Sequence, residues 1–600
     1  MKRLPSCYRA VVPIVLLTGA CSTSPFEQDA ESDLRNSVVE AAQRELAAAE
    51  TSPEDRTLTR QPKQLEFPPE RMEELEEMAG WQSHGQIQPE DLGPELLGPD
   101  LLGRAGLDTP IFRITLEQAV EAAVRNNLSV QIARIDPAIL QSQVIAAEAA
   151  FDWVFFTNFD WNNTDQPSPV TLINGQPIGV GARSSQSVSW DTGVRKSLTS
   201  GGSFSVSAGQ IYTDDTTDGI ELDPDPSNAA VLNLGYQQPL LRGFGSDVAL
   251  SEVRLARNAE RDAIHALEQA LLDVVTDTEN AYWDLFQARH SLQIRLTLLK
   301  RGIETRDVLE SRLGVDARPA EYSDAVARVE SRRSDVIRAI NDLRQRSDAL
   351  KLLINDPQLN VGTEILLLPL DRPVDAPITY SLLESISTAM TQRPEIKRAI
   401  LNIDDASIRQ TVARNARLPL LNFSMDTTFQ GLDRDIGRAA NDVAEGRFIG
   451  WLMSLAFEQP IGNRAGEANF RAAQLARLSA TINYRRTIQQ LVLDVKATLR
   501  NVETNYRLIQ QTRTSRLAAS ENLRTLLVLE RTIAALTPDF LNLKLNRQEA
   551  LAVAELEELQ AIVDYNVSLA NLNRATGTAL ERNGVRMVVP DAPDEVSEPE

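Results

Sequence analysis

Apolar and polar residues alternate from Val231 to Tyr236, and the spacing then changes to that of a helix. Leu232, Leu234 and Tyr236 fall on one face of the alternating segment, as a half-buried strand requires. Beyond Leu250 the apolar residues recur in strict steps of four and three, which is typical of helices packed side by side in a coiled coil. This heptad seam comprises Leu267, Leu271, Val274, Thr278, Ala281, Leu285, Ala288 and Leu292.

The helix that carries the seam is too long for a compact domain. No proline lies between Pro239 and Pro319, so the pattern predicts a helix over residues 250–312, roughly 60 residues and about 90 Å long. Glycine and proline then interrupt the pattern after Leu313, and a helix resumes over residues 320–354. So tight a connection predicts that the second helix returns antiparallel to the first.

Aromatic residues alternate with polar ones between residues 151 and 239. Phe151, Trp153 and Phe155 begin this pattern, which is typical of a membrane-barrel strand and equally of a strand in a soluble sandwich. Two further alternating segments are joined by a Ser-Gly-Gly turn and predict a hairpin over residues 188–212. The pattern leaves open whether this hairpin extends the same sheet or forms a cap outside it.

The whole arrangement occurs twice. The apolar positions of a helix beginning at Leu116 recur from Leu382, at a constant spacing of 266 residues. The segment at Pro460 repeats the segment at Pro239, and a second long helix is predicted over residues 467–536. A break and a last helix follow, so the chain contains two copies of a helix-strand-strand-helix unit. A repeat of this length is not a solenoid repeat.

These boundaries predict six consecutive segments with different compositions. They are a signal peptide (1–20), an acidic, proline-rich leader (21–110), a first structural repeat (111–356), a linker (357–377), a second structural repeat (378–580) and an acidic tail (581–600). The second repeat has predicted strands over residues 418–459 and a last helix over 538–577. The composition of the leader favours a flexible tether over a segment that wraps a larger assembly.

The N-terminus is typical of an export signal, because positive charges precede a short apolar core and then small residues. Residues 17–21 resemble the lipobox of bacterial lipoproteins, although Thr18 stands where that pattern usually has leucine. The resemblance implies that Cys21 is acylated and that Ser22 directs the protein to the outer membrane. Because Cys7 lies inside the signal, no second thiol remains for a disulfide. The alternative is a soluble secreted protein in which Cys21 has no special role.

Composition excludes several classes of function. The chain has 61 lysine and arginine residues against 84 aspartate and glutamate residues, a formal net charge of −23, so nucleic acid is not a predicted partner. No apolar run reaches the length of about 18 residues that a transmembrane helix needs. His84, His265 and His290 lie far apart, and no nucleotide-binding, zinc-protease or hydrolase motif is present. No enzymatic activity, metal or cofactor is predicted.

The combined features resemble the TolC-like outer-membrane efflux proteins, particularly their lipidated branch. The resemblance covers Ile114 to Leu580 and rests on the duplicated unit, the two helix breaks and the octapeptide Gln-Pro-Leu-Leu-Arg-Gly-Phe-Gly at 238–245. It implies an α+β membrane protein in which three identical chains share one outer-membrane β-barrel, continued by a periplasmic tunnel of long coiled-coil helices. Independently, a few strands cannot close a barrel, and open edges do not occur in lipid.

Proline and glycine cluster where a tilted strand must turn into a long helix. Proline suits the end of a strand because no ladder donor is needed there, and glycine adopts turn geometries closed to other residues. A structural role at this strand-to-helix joint is predicted for Pro239, Gly243, Gly245, Pro460, Gly462 and Gly466.

The two helix breaks carry the candidates for a functional site. By resemblance the breaks form the periplasmic mouth of the tunnel, and Asp539 and Asn542 fall where the family has a ring of carboxylates that narrows the pore. Asn542 departs from the usual second acid, and Glu321 and Asp324, at the same spacing after the first break, are candidates to supply that charge. Acids crowded around an axis would attract cations and make opening sensitive to pH. The alternative is ordinary first-turn acids stabilised by the helix dipole.

The predicted function is passive conduction of small molecules or polypeptides through a trimeric outer-membrane lipoprotein channel. The resemblance implies outer-membrane lipid, a periplasmic adaptor (membrane fusion) protein and an inner-membrane transporter of the RND or ABC type as partners. The transporter must supply the energy, because the chain has no energy-harvesting motif. The alternative is a structural or adhesive periplasmic coiled coil anchored by its lipid alone.

Overall fold

A computed structural model describes residues 39–50, 56–57, 67–79 and most of 111–587, with gaps at 168, 170, 175, 179–180, 218–221, 314–317, 364 and 533–536. The predicted signal peptide, Cys21 and the tail beyond residue 587 lie outside the described residues. The longer helices are α1 (39–50), α2 (Pro69–Ala79), α3 (Leu116–Asn126), α4 (Leu128–Glu148), α5 (Ser251–Ser311), α6 (Pro319–Ile354), α7 (Leu382–Gln392), α8 (Pro394–Ala416), α9 (Ile436–Ala444), α10 (Arg464–Thr532) and α11 (Pro538–Thr576).

Six strands form one antiparallel sheet with the order β12-β11-β8-β7-β6-β3. Three two-stranded pairs accompany it: β1 with β10, β2 with β9 in parallel, and β4 with β5. The strands are β1 (Arg56–Thr57), β2 (Ile111–Ile114), β3 (Trp153–Pro167), β4 (Thr171–Ile173), β5 (Gln176–Ile178), β6 (Ala182–Ser197), β7 (Ser203–Asp215), β8 (Ser227–Pro239), β9 (Leu366–Pro369), β10 (Thr379–Tyr380), β11 (Leu420–Asp433) and β12 (Phe448–Glu458).

The six-stranded sheet has one apolar face and one polar face. One row of paired residues across all six strands consists of Phe155, Val194, Val206, Leu234, Thr427 and Trp451. The next row points to the opposite face and consists of Phe156, Gly193, Ser207, Asn233, Thr428 and Gly450. At the two ends of the apolar row, Phe155 is 70% exposed and Trp451 is 71% exposed. The apolar face is therefore open to the surroundings of a single chain.

The predicted 188–212 hairpin lies inside this sheet. Strands β6 and β7 pair with each other from Ser185–Asp215 to Ser197–Ser203, and they stand between β3 and β8. Their side chains alternate in the same register as those of the other four strands. The hairpin thus extends the sheet and does not form a cap outside it.

Two antiparallel helical hairpins make up most of the helical part. Helix α5 packs against α6, α10 packs against α11, and α11 also packs against α5. The predicted heptad seam of α5 is confirmed: seven of its eight residues are buried, and Ala281 is partly buried against the main core. The four helices therefore share one continuous apolar core.

Local signals place the ends of these helices. Proline occupies the first turn of α6 at Pro319 and of α11 at Pro538, where its missing amide donor costs nothing. The Thr537 hydroxyl accepts a bond from the Phe540 amide at 3.3 Å. At the other ends, Asn355 and Gly577 adopt the left-handed conformation common after a helix.

The duplication is visible in the helix boundaries. Helices α3 and α7 begin at Leu116 and Leu382, and α4 and α8 begin at Leu128 and Pro394, so both pairs keep the spacing of 266 residues. The two copies differ in their strands, because the first unit supplies four strands to the sheet and the second supplies two. Helix α9, which packs on β11 and β8, has no counterpart among the described residues of the first unit.

The interpretation of the leader as a flexible tether is wrong for its described part. Leu75 of α2 is completely buried, and its carbonyl accepts a bond from Ser520 of α10. Arg516 of α10 pairs with Glu76 at 2.7 Å, and α1 contributes a buried alanine, Ala49, to a core cluster of the second unit. Apolar burial and ion pairs made by the acidic residues therefore dock these segments on the helices.

Replacing Leu75 with aspartate is expected to release α2 from the helices, because the new charge would be buried in an apolar contact. Limited trypsin digestion should then cleave at Arg71 while the helical hairpins remain intact. Glu73→Ala, at an exposed neighbouring position, is the control and should leave digestion unchanged. Equal protection of Arg71 in both variants would contradict the docked position of α2.

A buried phenol joins the linker to the long helix. The hydroxyl of Tyr282, on α5, donates to the Asp371 carboxylate at 2.6 Å and accepts bonds from the amides of Leu370 and Asp371. Burial, together with the bond to Asp371, raises the pKa of Tyr282. Burial also raises the pKa of Tyr565, on α11, to about 12, and its hydroxyl donates to the Ala376 carbonyl at 2.9 Å.

Stability is expected to fall steeply above pH 10. The unfolded chain loses tyrosine protons near pH 10, whereas folded Tyr565 keeps its proton to about pH 12, so the unfolded state binds fewer protons in this window. The contribution of Tyr565 alone amounts to about 2 kcal/mol, present below pH 10 and lost by pH 12. Thermal melting at pH 9 and pH 11.5 measures the loss. The Tyr282→Phe, Tyr565→Phe double variant should show a smaller difference between the two pH values, and an equal difference would contradict this explanation.

Among the described residues, no helix has the length and apolar character needed to cross a bilayer.

Candidate functional site

Left-handed glycines form the predicted joint after β8. Gly243 has φ 87° and Gly245 has φ 102°, backbone conformations that are unfavourable for residues other than glycine. Pro239 is the last residue of β8, and the amide of Leu240 still bonds to the carbonyl of Leu421 on β11. The chain thus leaves the sheet at Pro239, reverses at the glycines and enters the helical part.

The neighbouring hairpin turn braces this joint. Gly245 donates its amide to the Ser200 carbonyl at 3.1 Å, and the Gln238 side chain donates to the same carbonyl at 3.1 Å. A Cβ on Gly201 would come 2.0 Å from the Gly243 carbonyl oxygen. From the other unit, the Asn415 side chain accepts a bond from the Gly243 amide at 2.6 Å. The sequence indicates Gln238 through its motif, but nothing local indicates Asn415.

The second joint, after β12, resembles the first only in part. Gly462 has φ 86° and Asn463 has φ 34°, and the Asn463 amide group donates to the Arg417 carbonyl at 2.9 Å. Pro460 follows the end of β12. Gly466 differs from the prediction, because it lies inside α10 and needs no special backbone conformation. A Cβ there would come 2.6 Å from the Asn463 side chain, so glycine is needed at this position because it has no side chain.

Both helix breaks lie at the same end of the molecule, which we call the helical tip. It contains the end of α5, the starts of α6 and α11, and the described end of α10. A small apolar cluster joins Leu309 of α5, Ala325 of α6, and Leu541 and Leu545 of α11. The structure therefore brings the two predicted groups of gate residues, more than 200 positions apart in sequence, to one place.

Arg328 connects the two groups. Its guanidinium pairs with Asp324 on the same helix at 3.1 Å and crosses to α11, where it donates to Asn542 at 3.3 Å and to Asn546 at 2.9 Å. Glu549 lies 3.7 Å away. Two of the four predicted gate residues thus share one arginine, which sequence reasoning missed. The only signal for Arg328 is its spacing of four from Asp324.

The other two predicted gate residues lie in first turns. The Glu321 carboxylate accepts a bond from the Arg318 amide at 2.9 Å and so caps α6. Asp539 lies in the first turn of α11 and is exposed. Both positions agree with acids stabilised by the helix dipole, and they leave the Asp539 charge facing outward at the tip.

A buried polar layer lies beneath the tip cluster. Arg332 of α6 donates to the Leu298 carbonyl at 3.2 Å and to the Leu545 carbonyl at 3.1 Å, and so joins α5, α6 and α11. Burial lowers the pKa of Arg332 to about 10. A Cβ on Gly302 would come 2.5 Å from this guanidinium, so the glycine makes room for it. This layer holds the tip helices together independently of Arg328.

The described residues contain no group of three or more histidine, cysteine, aspartate or glutamate side chains able to hold a metal ion. Cys21, the predicted lipidation site, lies outside the part of the chain that the structure describes, and its acylation remains a prediction.

Sequence comparison with known proteins gives one partial relative. No protein-family model matches the chain. The probable outer membrane lipoprotein SilC of Salmonella typhimurium is 25% identical over 276 residues, which make up 45% of this chain and 56% of SilC. The match therefore spans little more than half the length of that curated relative.

Solved outer-membrane proteins share the fold. The CmeC channel of Campylobacter jejuni is 16% identical with a TM-score of 0.54 over 77% of this chain and 86% of CmeC. The MtrE channel of Neisseria gonorrhoeae is 19% identical with a TM-score of 0.54 over 80% of this chain and 90% of MtrE. VceC of Vibrio cholerae is 15% identical with a TM-score of 0.54 over 77% of this chain and 96% of VceC.

The chain has the TolC-like fold. The resemblance predicted from its sequence is confirmed, and the predicted outer-membrane location agrees with the names of these relatives. CmeC and MtrE are outer-membrane channels, VceC is an outer-membrane protein and SilC is a probable outer-membrane lipoprotein, in agreement with the prediction of a protein that is not an enzyme.

Proposed function

We propose that three copies of this TolC-like chain form a passive outer-membrane channel within a tripartite efflux or secretion system. The open apolar face of the six-stranded sheet carries this proposal. Aromatic residues such as Phe155, Trp161 and Trp451 project from that face and are at least 69% exposed. A patch of this kind is unfavourable in water and suits the hydrocarbon layer of a membrane. It also argues against a periplasmic coiled coil anchored by lipid alone.

Oligomer formation follows from the sheet edges. Within one chain, β3 and β12 each pair on one side only, and an unpaired strand edge cannot remain open in lipid. Copies of the chain that pair through these edges would satisfy the backbone groups. The long helices below the joint would then form the periplasmic tunnel.

The helical tip supplies the proposed periplasmic mouth. Glu321, Asp324, Asp539 and Asn542 all lie there, and Arg328 links the two helix breaks of one chain. Around a threefold axis each acid would occur three times and would favour cations at the mouth. A periplasmic adaptor would contact this end, and an inner-membrane transporter of the RND or ABC type would supply the energy.

The double variant Asp539→Asn, Glu321→Gln tests the acidic mouth. Glutamine retains the helix cap that Glu321 provides, so the change removes charge while leaving the fold in place. We expect weaker cation preference and weaker block by multivalent cations in planar-bilayer recordings. Glu117→Gln removes an exposed acid from α3, away from the tip, and should change neither. Unchanged selectivity and block in the double variant would exclude these acids from the mouth.

Cell fractionation and gel mobility test the membrane assignment. The protein is expected in the outer-membrane fraction, with a band that shifts on heating as β-barrel proteins do. Release into the soluble fraction on removal of the lipid anchor, by Cys21→Ser, would contradict a membrane-spanning sheet and favour the lipid-anchored alternative.

A further inference from the structure

The two edge strands of the sheet run in opposite directions, as an antiparallel pair requires. Strand β3 begins at Trp153, next to the helices, and runs away from them, whereas β12 ends at Glu458, where the chain returns to the helices. Every neighbouring pair between them is antiparallel. Placing β12 of a second copy beside β3 therefore continues the antiparallel pattern without a break.

The hairpin of β6 and β7 has the character of a membrane wall and not of an external loop. On the apolar face, Val194 pairs with Val206 across the hairpin, and Val206 pairs with Leu234 of β8. On the other face, Ser207 stands between Gly193 and Asn233. The same alternation on β3, β6, β7, β8 and β11 gives each of these strands one apolar side and one polar side, whereas β12 carries Leu452 and Ala456 on its second side.

We propose that β3 of each copy pairs with β12 of the next, so that three chains of six strands close a wall of eighteen strands. This proposal rests on the trimeric channel proposed above and adds the pairing surface and the size of the wall. The partner is a second copy of this chain, because β3 and β12 run in opposite directions and both turn their aromatic side chains, such as Phe155 and Trp451, to the same face of the sheet.

A wall of this size encloses an aqueous lumen. Barrels of about 16 to 18 strands leave a water-filled channel, whereas those of about eight strands are filled by side chains. The polar face would line that lumen, and it carries Asp160, Asp191 and Asp426 together with Arg195. The wall would then be wide, and the helical tip would be the narrow part of the conduit.

Cysteine cross-linking tests the pairing of the edges. Asn158→Cys on β3 would be combined in turn with Gly450→Cys, Leu452→Cys, Ser454→Cys or Ala456→Cys on β12, all on the polar face, so that the series covers the unknown register. The full-length chain has only two cysteines, Cys7 and Cys21, and the predicted signal cleavage and acylation leave neither as a free thiol. With a short bismaleimide, at least one pair should convert most of the protein to a covalent trimer.

A matched control places the first cysteine on an inner strand. Ser207→Cys on β7 lies on the same polar face, but β7 is paired on both sides within its own chain. Combined with the same β12 positions, it should give no covalent trimer. A covalent trimer of equal yield from Ser207→Cys would overturn the edge pairing.

Lipid contact of the hairpin tests the size of the wall. A nitroxide on Val206→Cys should collide with oxygen several-fold more often than with a water-soluble nickel complex, and one on Ser207→Cys should show the reverse preference. A trimer in the outer membrane whose Val206 label shows no lipid contact would overturn the eighteen-stranded wall while leaving the channel proposal intact. Absence of both trimer and membrane insertion would overturn both proposals.

Discussion

Replacing Glu558 with alanine is expected to remove about 3 kcal/mol of folding free energy. Glu558 of α11 and Arg516 of α10 form an ion pair in which both side chains are 2% exposed. Glu558 also accepts a bond from Arg513 at 2.9 Å. Alanine would leave the buried guanidinium of Arg516 with Glu76 as its remaining acidic partner, and it would remove the one carboxylate that Arg516 and Arg513 share in the interior.

Thermal melting followed by circular dichroism at the helix band measures this loss. The control is Asp335→Ala, which breaks an exposed pair with Arg338, 77% exposed, on α6. Exposed pairs contribute less than about 1 kcal/mol, so this variant should melt close to the wild type. Equal melting temperatures for Glu558→Ala and Asp335→Ala would contradict the importance of the buried pair.

Replacing Gly201 with alanine is expected to destabilise the strand-to-helix joint and so prevent most of the protein from folding and assembling. Gly201 has φ 90°, which costs an alanine about 1–2 kcal/mol. Its Cβ would also lie 2.0 Å from the carbonyl oxygen of Gly243, a contact with backbone that cannot swing aside. Overpacking of this kind adds about 1–3 kcal/mol. The two effects act where the sheet is anchored to the long helix.

Gly462 supplies the matched control. Its φ of 86° is close to the 90° of Gly201, but no atom lies within 4 Å of a Cβ at that position. Gly462→Ala should therefore lose only the conformational term and retain most of its folded protein. The measurement is the yield of heat-modifiable oligomer in the outer membrane at equal expression. If both variants assemble equally well, the close contact between the hairpin turn and the joint is not important for folding.

Periodic patterns in the sequence predict the long elements of this fold. The steps of four and three along α5 correctly identify its buried seam, because burial and heptad spacing have the same cause. The alternation at Phe155 and Trp451 likewise predicts strands with two different faces. What the pattern cannot supply is the environment of the apolar face, since a soluble sandwich and a membrane wall share the same alternation.

Contacts between distant segments are less accessible from sequence. Arg328 reaches Asn546 across 218 positions, and Arg516 reaches Glu76 across 440. Such pairs depend on the register of one helix against another, which local composition does not determine. The acidic leader shows the same limit, because its docking depends on the burial of Leu75 and on the pairing of Glu76 with Arg516, neither of which composition reveals.

Single-channel recording in a planar bilayer tests the central claim most directly. The purified full-length protein, extracted from the outer membrane as an oligomer, should insert and give discrete, long-lived conductance steps that prefer cations. Asp539→Asn with Glu321→Gln should weaken that preference without abolishing insertion. A correctly folded oligomer that never conducts, at any protein concentration or voltage, would contradict the proposal that this TolC-like chain is an outer-membrane channel.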